Sequence, residues 1–199
     1  LPDGGEIGYL IPVDGKIEDL YISSIAMSEL SHVSLMTKAK HLLYLVDACY
    51  GGIAAIHLRD LDASLTPNYI EKITQNKSRQ VITAGGRGEQ TIEKGEWGHS
   101  AFTLNLYRGL RDSRADTDSD GIITARELGT YLQKKVTIDT YNQQTPRLGR
   151  MSIHEGEFIF IKNNKDEADF IDVRDKYFMN QVSIESEDFL YYESKGKLY

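Results

Sequence analysis

The chain reads as an α/β domain in which a mostly parallel sheet is flanked by helices. Two short apolar runs, residues 41–49 and 79–84, each close on a glycine pair, Gly51-Gly52 and Gly85-Gly86. Helix-like stretches at 68–76, 101–110 and 124–136 alternate with them, the order expected of strands joined by crossover helices. The composition agrees: 199 residues, 40% hydrophobic, 27% charged and 4 prolines suffice for one compact core and argue against disorder.

Residues 6–13 contain a short apolar run ended by Pro12 and the turn pair Asp14-Gly15. Residues 25–38 predict a helix with Ile25, Leu30, Val33 and Met36 near one face. The run 41–49, centred on Leu42-Leu43-Tyr44-Leu45-Val46, has the continuous hydrophobicity of a strand buried on both faces. Residues 58–67 are loop-like, and Pro67 fits the first turn of the helix that follows. Residues 79–84 predict a second strand and 157–161 a last short one. The helices at 101–110 and 124–136 flank an acidic loop. These elements assign residues 1–162 to one domain. Beyond them, 163–199 is charged and lacks periodicity, reading as an extension or linker.

Net charge is -7, so a surface that tracks phosphates, which needs clustered Lys and Arg, is not expected and nucleic acid is excluded as a partner. A cationic substrate suits this balance better. The only cysteine, Cys49, cannot form an internal disulfide or join a multi-cysteine zinc site, which fits a reducing compartment. No apolar stretch approaches the ~20 residues a membrane helix needs, so a cytoplasmic protein without membrane contact is expected.

Residues 116–127 follow the twelve-residue calcium-loop pattern. Asp116, Asp118 and Asp120 supply carboxylates, Gly121 the sharp turn, Ile122 its carbonyl, Thr124 a direct or water-mediated contact, and Glu127 two oxygens. The expectation is a Ca2+ site. The alternative is an acidic turn in which Thr124 or Asp120 caps the next helix.

In an open α/β sheet, chemistry collects beyond the carboxyl ends of the strands. Cys49 and the 85–89 loop both stand there. A strand-end position alone favours a buried, inert cysteine. The words around it add more. Tyr44-Leu45-Val46-Asp47-Ala48-Cys49-Tyr50-Gly51-Gly52 resembles the nucleophile segment of the caspase-like cysteine peptidase clan, especially bacterial caspase-family proteins, metacaspases and paracaspases. The resemblance extends, in the family's order, to Gly8-Tyr9-Leu10-Ile11-Pro12-Val13-Asp14, Val81-Ile82-Thr83-Ala84-Gly85, Gly98-His99-Ser100-Ala101-Phe102-Thr103 and Gly156-Glu157-Phe158-Ile159-Phe160.

What the resemblance implies is a caspase-like sheet with Cys49 as nucleophile of an endopeptidase cutting after Arg or Lys. Asp47 and Glu89 would line the pocket for that basic side chain, since paired carboxylates select it by charge-assisted hydrogen bonds. Calcium or processing, for which Arg59 is a candidate cut, would activate it. The family's histidine stands shortly before the segment matched by Gly8 to Pro12. Of the five histidines, His32, His41, His57, His99 and His154, none fits that place. The resemblance therefore puts the base, and the first strands of the sheet, in an upstream segment preceding Leu1. Two other readings stand: one of the five histidines serves as base in an unfamiliar arrangement, or the chain is a catalytically inactive caspase-like interaction module with a structural calcium site.

Overall fold

The computed structural model describes residues 8–48, 67–86 and 88–161, and the backbone of two further strands at Gln181–Ile184 and Leu190–Glu193. The fold is mixed α/β. Strands β1 (Tyr9–Leu10) and β2 (Ile25–Ala26) pair antiparallel around a short helix α1 (Leu20–Ser23). Helix α2 (Met27–Met36) leads to β3 (His41–Val46), and α3 (Pro67–Gln75) to β4 (Ser78–Thr83). Then come α4 (Ala101–Arg111), β5 (Ile122–Thr124), α5 (Ala125–Asp139), β6 (Arg147–Arg150) and β7 (Ile159–Ile161). The two backbone strands, β8 (Gln181–Ile184) and β9 (Leu190–Glu193), form an antiparallel pair.

The main sheet has the order β3-β4-β6. β3 and β4 run parallel, with His41 opposite Ser78 and Val46 opposite Thr83. β6 is antiparallel to β4, Gln80 facing Arg150 and Thr83 facing Arg147. Among the described residues the sheet is therefore mixed, not mostly parallel, and β3–β4 is its one parallel pairing. The reason lies at the end of α5. Tyr141 and Asn142 turn the chain through the left-handed region, and Gln144 Nε2 donates to Ala84 O at 2.8 Å. β6 thus starts beside the carboxyl end of β4 and must run back along it.

Burial also differs from expectation. β4 is buried throughout, whereas in β3 only His41 is buried and residues 42–46 are half-buried. β3 has a strand on one side only among the described residues. The predicted apolar face of 25–38 is not a core face: Ile25 belongs to β2, Val33 and Met36 are exposed, and the helix buries Met27 and Ser34 instead. The core lies between the sheet and the last two helices, where Ile82, Phe102, Leu128, Leu132 and Phe160 meet Leu43, Leu45 and Leu148. A smaller cluster seats Ile73 of α3 on Ile159 of β7. At Gly156 an added Cβ would stand 2.2 Å from Asn76 O, so only glycine lets the 152–158 segment lie against that backbone. Among the described residues no helix is long and apolar enough to cross a membrane.

His41 opens β3 with its ring buried and Nε2 3.0 Å from Asn76 O. A carbonyl only accepts, so Nε2 carries the proton. Burial lowers the His41 pKa from 6.5, with Lys40 and Arg79 adding to the effect against the Asn76 carbonyl. The folded state then favours neutral histidine. Its contribution to stability is complete above pH 6.5 and declines as the pH falls below it, because the unfolded chain takes up the proton first. Thermal unfolding between pH 7.5 and 5 should have a shallower slope below about 6.5 in His41→Gln than in the wild type; equal slopes would refute this.

Candidate active site

Asp47 directly follows β3 and reaches the start of α4. Ser100, the N-cap of α4, accepts from Thr103 N at 2.9 Å and donates its hydroxyl to Asp47 Oδ2 at 2.5 Å. Thr103 Oγ1 donates to the same oxygen, also at 2.5 Å. An anion beside a helix N-terminus is favoured by the peptide dipoles. The sheet edge and α4 are thereby joined through one carboxylate. Its other oxygen has no donor among the described residues, and Asp47 is exposed.

Asp47 lines an open cleft of about 650 Å³ together with Glu93, Lys94, His99, Ser100, Thr103 and the glycines at 95 and 98. The far wall is the loop 93–100. A β-bridge between Glu93 and Ser100 closes its neck, reinforced by Ala101 N donating to Ile92 O at 2.9 Å. Gln144 supports the loop's approach by accepting from Ile92 N at 2.8 Å. At the tip, the Lys94 ammonium lies over the Trp97 ring, 4.3 Å from its centroid.

Glu89, the expected second pocket acid, does other work. Its Oε2 accepts from Gly86 N at 2.8 Å and Thr145 N at 2.7 Å, bracing the turn after β4 against the approach to β6. It is not among the residues lining the cleft beside Asp47. Glu93 is. No sequence signal separates the two, because the Glu93–Ser100 bridge arises only on folding. His99, part of the matched segment 98–103, also stands in this cleft. Cys49, Arg59 and His57 lie outside the described residues.

The acidic loop gathers the carboxylates of Asp116, Asp118 and Asp120 within 4.8 Å of one another. Asp116 accepts from Asp120 N and Gly121 N, at 3.2 and 3.1 Å, and Asp120 accepts from Ile122 N at 2.8 Å. Gly121 takes φ +83°, the left-handed turn that such a loop requires. Glu127 folds back across it: one oxygen accepts from Thr117 N and Oγ1, the other from Thr124 N and Oγ1. Thr124 in turn caps α5, completing a capping box with Glu127. Desolvation raises the Asp120 pKa, with the Asp118, Asp116 and Glu127 charges pushing the same way and the Ile122 N–H opposing. Ile122 sits in β5, which pairs with β7. The chain thus brings three of the expected ligands together and engages Thr124 and Glu127 with each other.

Comparison of the chain with family models, curated proteins and solved structures finds no match.

Proposed function

We propose that this chain is the nucleophile-bearing part of a caspase-like cysteine endopeptidase that cuts after Arg or Lys. The observation that carries this reading is Asp47: it directly follows β3, stands two residues before Cys49, and lines a cleft shared with Glu93. Two carboxylates at the carboxyl edge of a sheet suit a basic side chain, and the charge of -7 suits a cationic substrate. In this scheme the Cys49 thiolate attacks the carbonyl carbon after the basic residue. A histidine passes the thiol proton to the leaving amine as the C–N bond breaks, and water then cleaves the thioester. The histidine comes from an upstream segment, whose strand adds to the side of β3 that has no partner among the described residues. His99, which shares the cleft with Asp47, is the competing base. The acidic loop binds Ca2+ through Asp116, Asp118, Asp120, the Ile122 carbonyl, Thr124 and Glu127, and calcium or processing near Arg59 raises activity.

The test uses the full-length protein on peptides with Arg, Lys or Asp before the scissile bond, with and without calcium. Cleavage after Arg and Lys should vanish in Cys49→Ala and survive in His99→Ala; Asp47→Asn should lower kcat/KM for basic substrates by about ten-fold or more. Equal cleavage by wild type and Cys49→Ala would sink the nucleophile assignment, and no cleavage by either would leave the inactive interaction module as the reading. Loss in His99→Ala with an unchanged fold would move the base to that residue. Calorimetry should register calcium binding that disappears in Asp116→Ala and Glu127→Ala; unchanged binding would remove the loop as the site.

A further inference from the structure

The loop 93–100 carries a lysine whose surroundings are unusual for so acidic a chain. Lys94 lies between Glu93 and Glu96 in sequence. Yet among the described residues no carboxylate pairs with its ammonium. It rests instead over two aromatic rings, 4.3 Å from the Trp97 centroid and 5.3 Å from that of Tyr141. Tyr141 comes from a different element, the turn after α5, where it is held at φ +52° and is 78% exposed. A non-glycine residue in the left-handed region is uncommon and mildly costly. Here that conformation sets an exposed ring beside the cleft loop.

Two ring faces around one cation attract any cation of similar size, and an arginine side chain fits such faces at least as well as lysine. Lys94 itself lines the cleft with Asp47 and Glu93. The rings are thus a cation seat at the rim of the cleft, and the chain fills it with its own side chain. We infer that Trp97 and Tyr141 form a second subsite for a basic residue, which Lys94 occupies until a substrate with two basic residues displaces it. This rests on the reading of Asp47 and Glu93 as the first basic subsite. The exchange is feasible because a partly exposed cation–π contact is weak enough to give way.

Trp97 is the only tryptophan of the chain, so its fluorescence reports on the seat directly. The experiment titrates full-length protein carrying Cys49→Ala with matched peptides, Arg-Arg against Ala-Arg, and repeats this in Lys94→Met and Tyr141→Leu backgrounds. The dibasic peptide should perturb Trp97 more than the monobasic one. Removing Lys94 as competitor should tighten the dibasic peptide relative to the monobasic one by about two- to five-fold, and Tyr141→Leu should cancel most of that gain. An unchanged ratio of the two dissociation constants in Lys94→Met overturns the seat. So does tightening of both peptides alike, which would mean that Lys94 merely obstructs the cleft. Cleavage of monobasic peptides by the Cys49 protein without a dibasic gain removes the seat and leaves the peptidase. Dibasic binding at Trp97 without cleavage of any peptide does the reverse, and no binding of either peptide removes both subsites.

Discussion

Arg79→Met should lower the unfolding free energy by about 3–5 kcal/mol, read from denaturant titration. Arg79 lies in the first half of β4 and is 2% exposed, with no carboxylate paired to it among the described residues. Its guanidinium is satisfied wholly by backbone carbonyls. Nε donates to Ser34 O at 2.5 Å, Nη1 to Lys40 O and Ser78 O at 3.0 and 2.7 Å, and Nη2 to Thr37 O and Ala39 O at 3.0 and 2.8 Å. Four of these five carbonyls belong to residues 34–40, the end of α2 and the approach to β3. One side chain thus fastens that stretch to the sheet, in a region whose own apolar residues Leu35 and Met36 are exposed. Charge-assisted hydrogen bonds are each worth about 1.5–3 kcal/mol; the estimate is below their sum because water can reach some of the freed carbonyls. Arg79→Lys keeps the charge but not the planar fork, and should fall between wild type and Met. A loss below about 1 kcal/mol for Met would mean that the 34–40 stretch is held by something else.

Glu157→Leu should cost a comparable amount, about 3–5 kcal/mol, because it leaves the Arg150 guanidinium without its anion in the interior. Glu157 is 1% exposed. It receives Arg150 Nη2 at 2.7 Å, Gln80 Nε2 at 2.8 Å and the Arg126 backbone N–H at 3.0 Å. The acid therefore joins β4, β6 and the first turn of α5. Gln80 continues the network, accepting from Ser78 Oγ at 3.0 Å and Phe158 N at 2.8 Å. Replacing both partners of a buried pair is less harmful than replacing one. Glu157→Leu with Arg150→Met should accordingly recover part of the loss, and strictly additive losses in the double-mutant cycle would refute the coupling.

The parts of the fold that announced themselves are those whose signals are local. Helix α3 with its leading proline, β4 stopped by Gly85-Gly86, and helices α4 and α5 all fall within a few residues of their expected ranges. The caps explain the last two: Ser100 and Thr124 each bind the third residue of their helix. β6 gave no such sign. Arg-Leu-Gly-Arg has neither alternation nor an apolar run, and becomes a strand because Gln144 and Glu89 deliver it to the edge of β4. β5 was hidden inside the acidic loop pattern. The helix expected at 25–38 is present as α2, but Val33 and Met36 of its apolar face are exposed, for a related cause: periodicity marks an apolar face but does not say whether anything covers it.

The candidate site divides the same way. Asp47 was singled out by the resemblance of residues 44–52, and the three aspartates by their spacing. Glu93, Lys94 and His99 share Asp47's cleft only because residues 93–100 are closed by a bridge between side-by-side backbones, which no residue type advertises. Glu89, the second acid expected from the resemblance, has its carboxylate engaged by two backbone N–H groups instead.

The partnership of β5 has a consequence for signalling. β5 takes β7 as its partner, so within the described residues no second loop shares its ladder. An ion held by the acidic loop would then meet a solitary, independent site. Occupancy would climb along a simple hyperbola with a Hill slope of one, spread over roughly two decades of free ion concentration. Such a site works as a dial and not as a threshold trigger. Through β7 the dial would be wired to Glu157, two residues before that strand, and from there to the floor of the sheet.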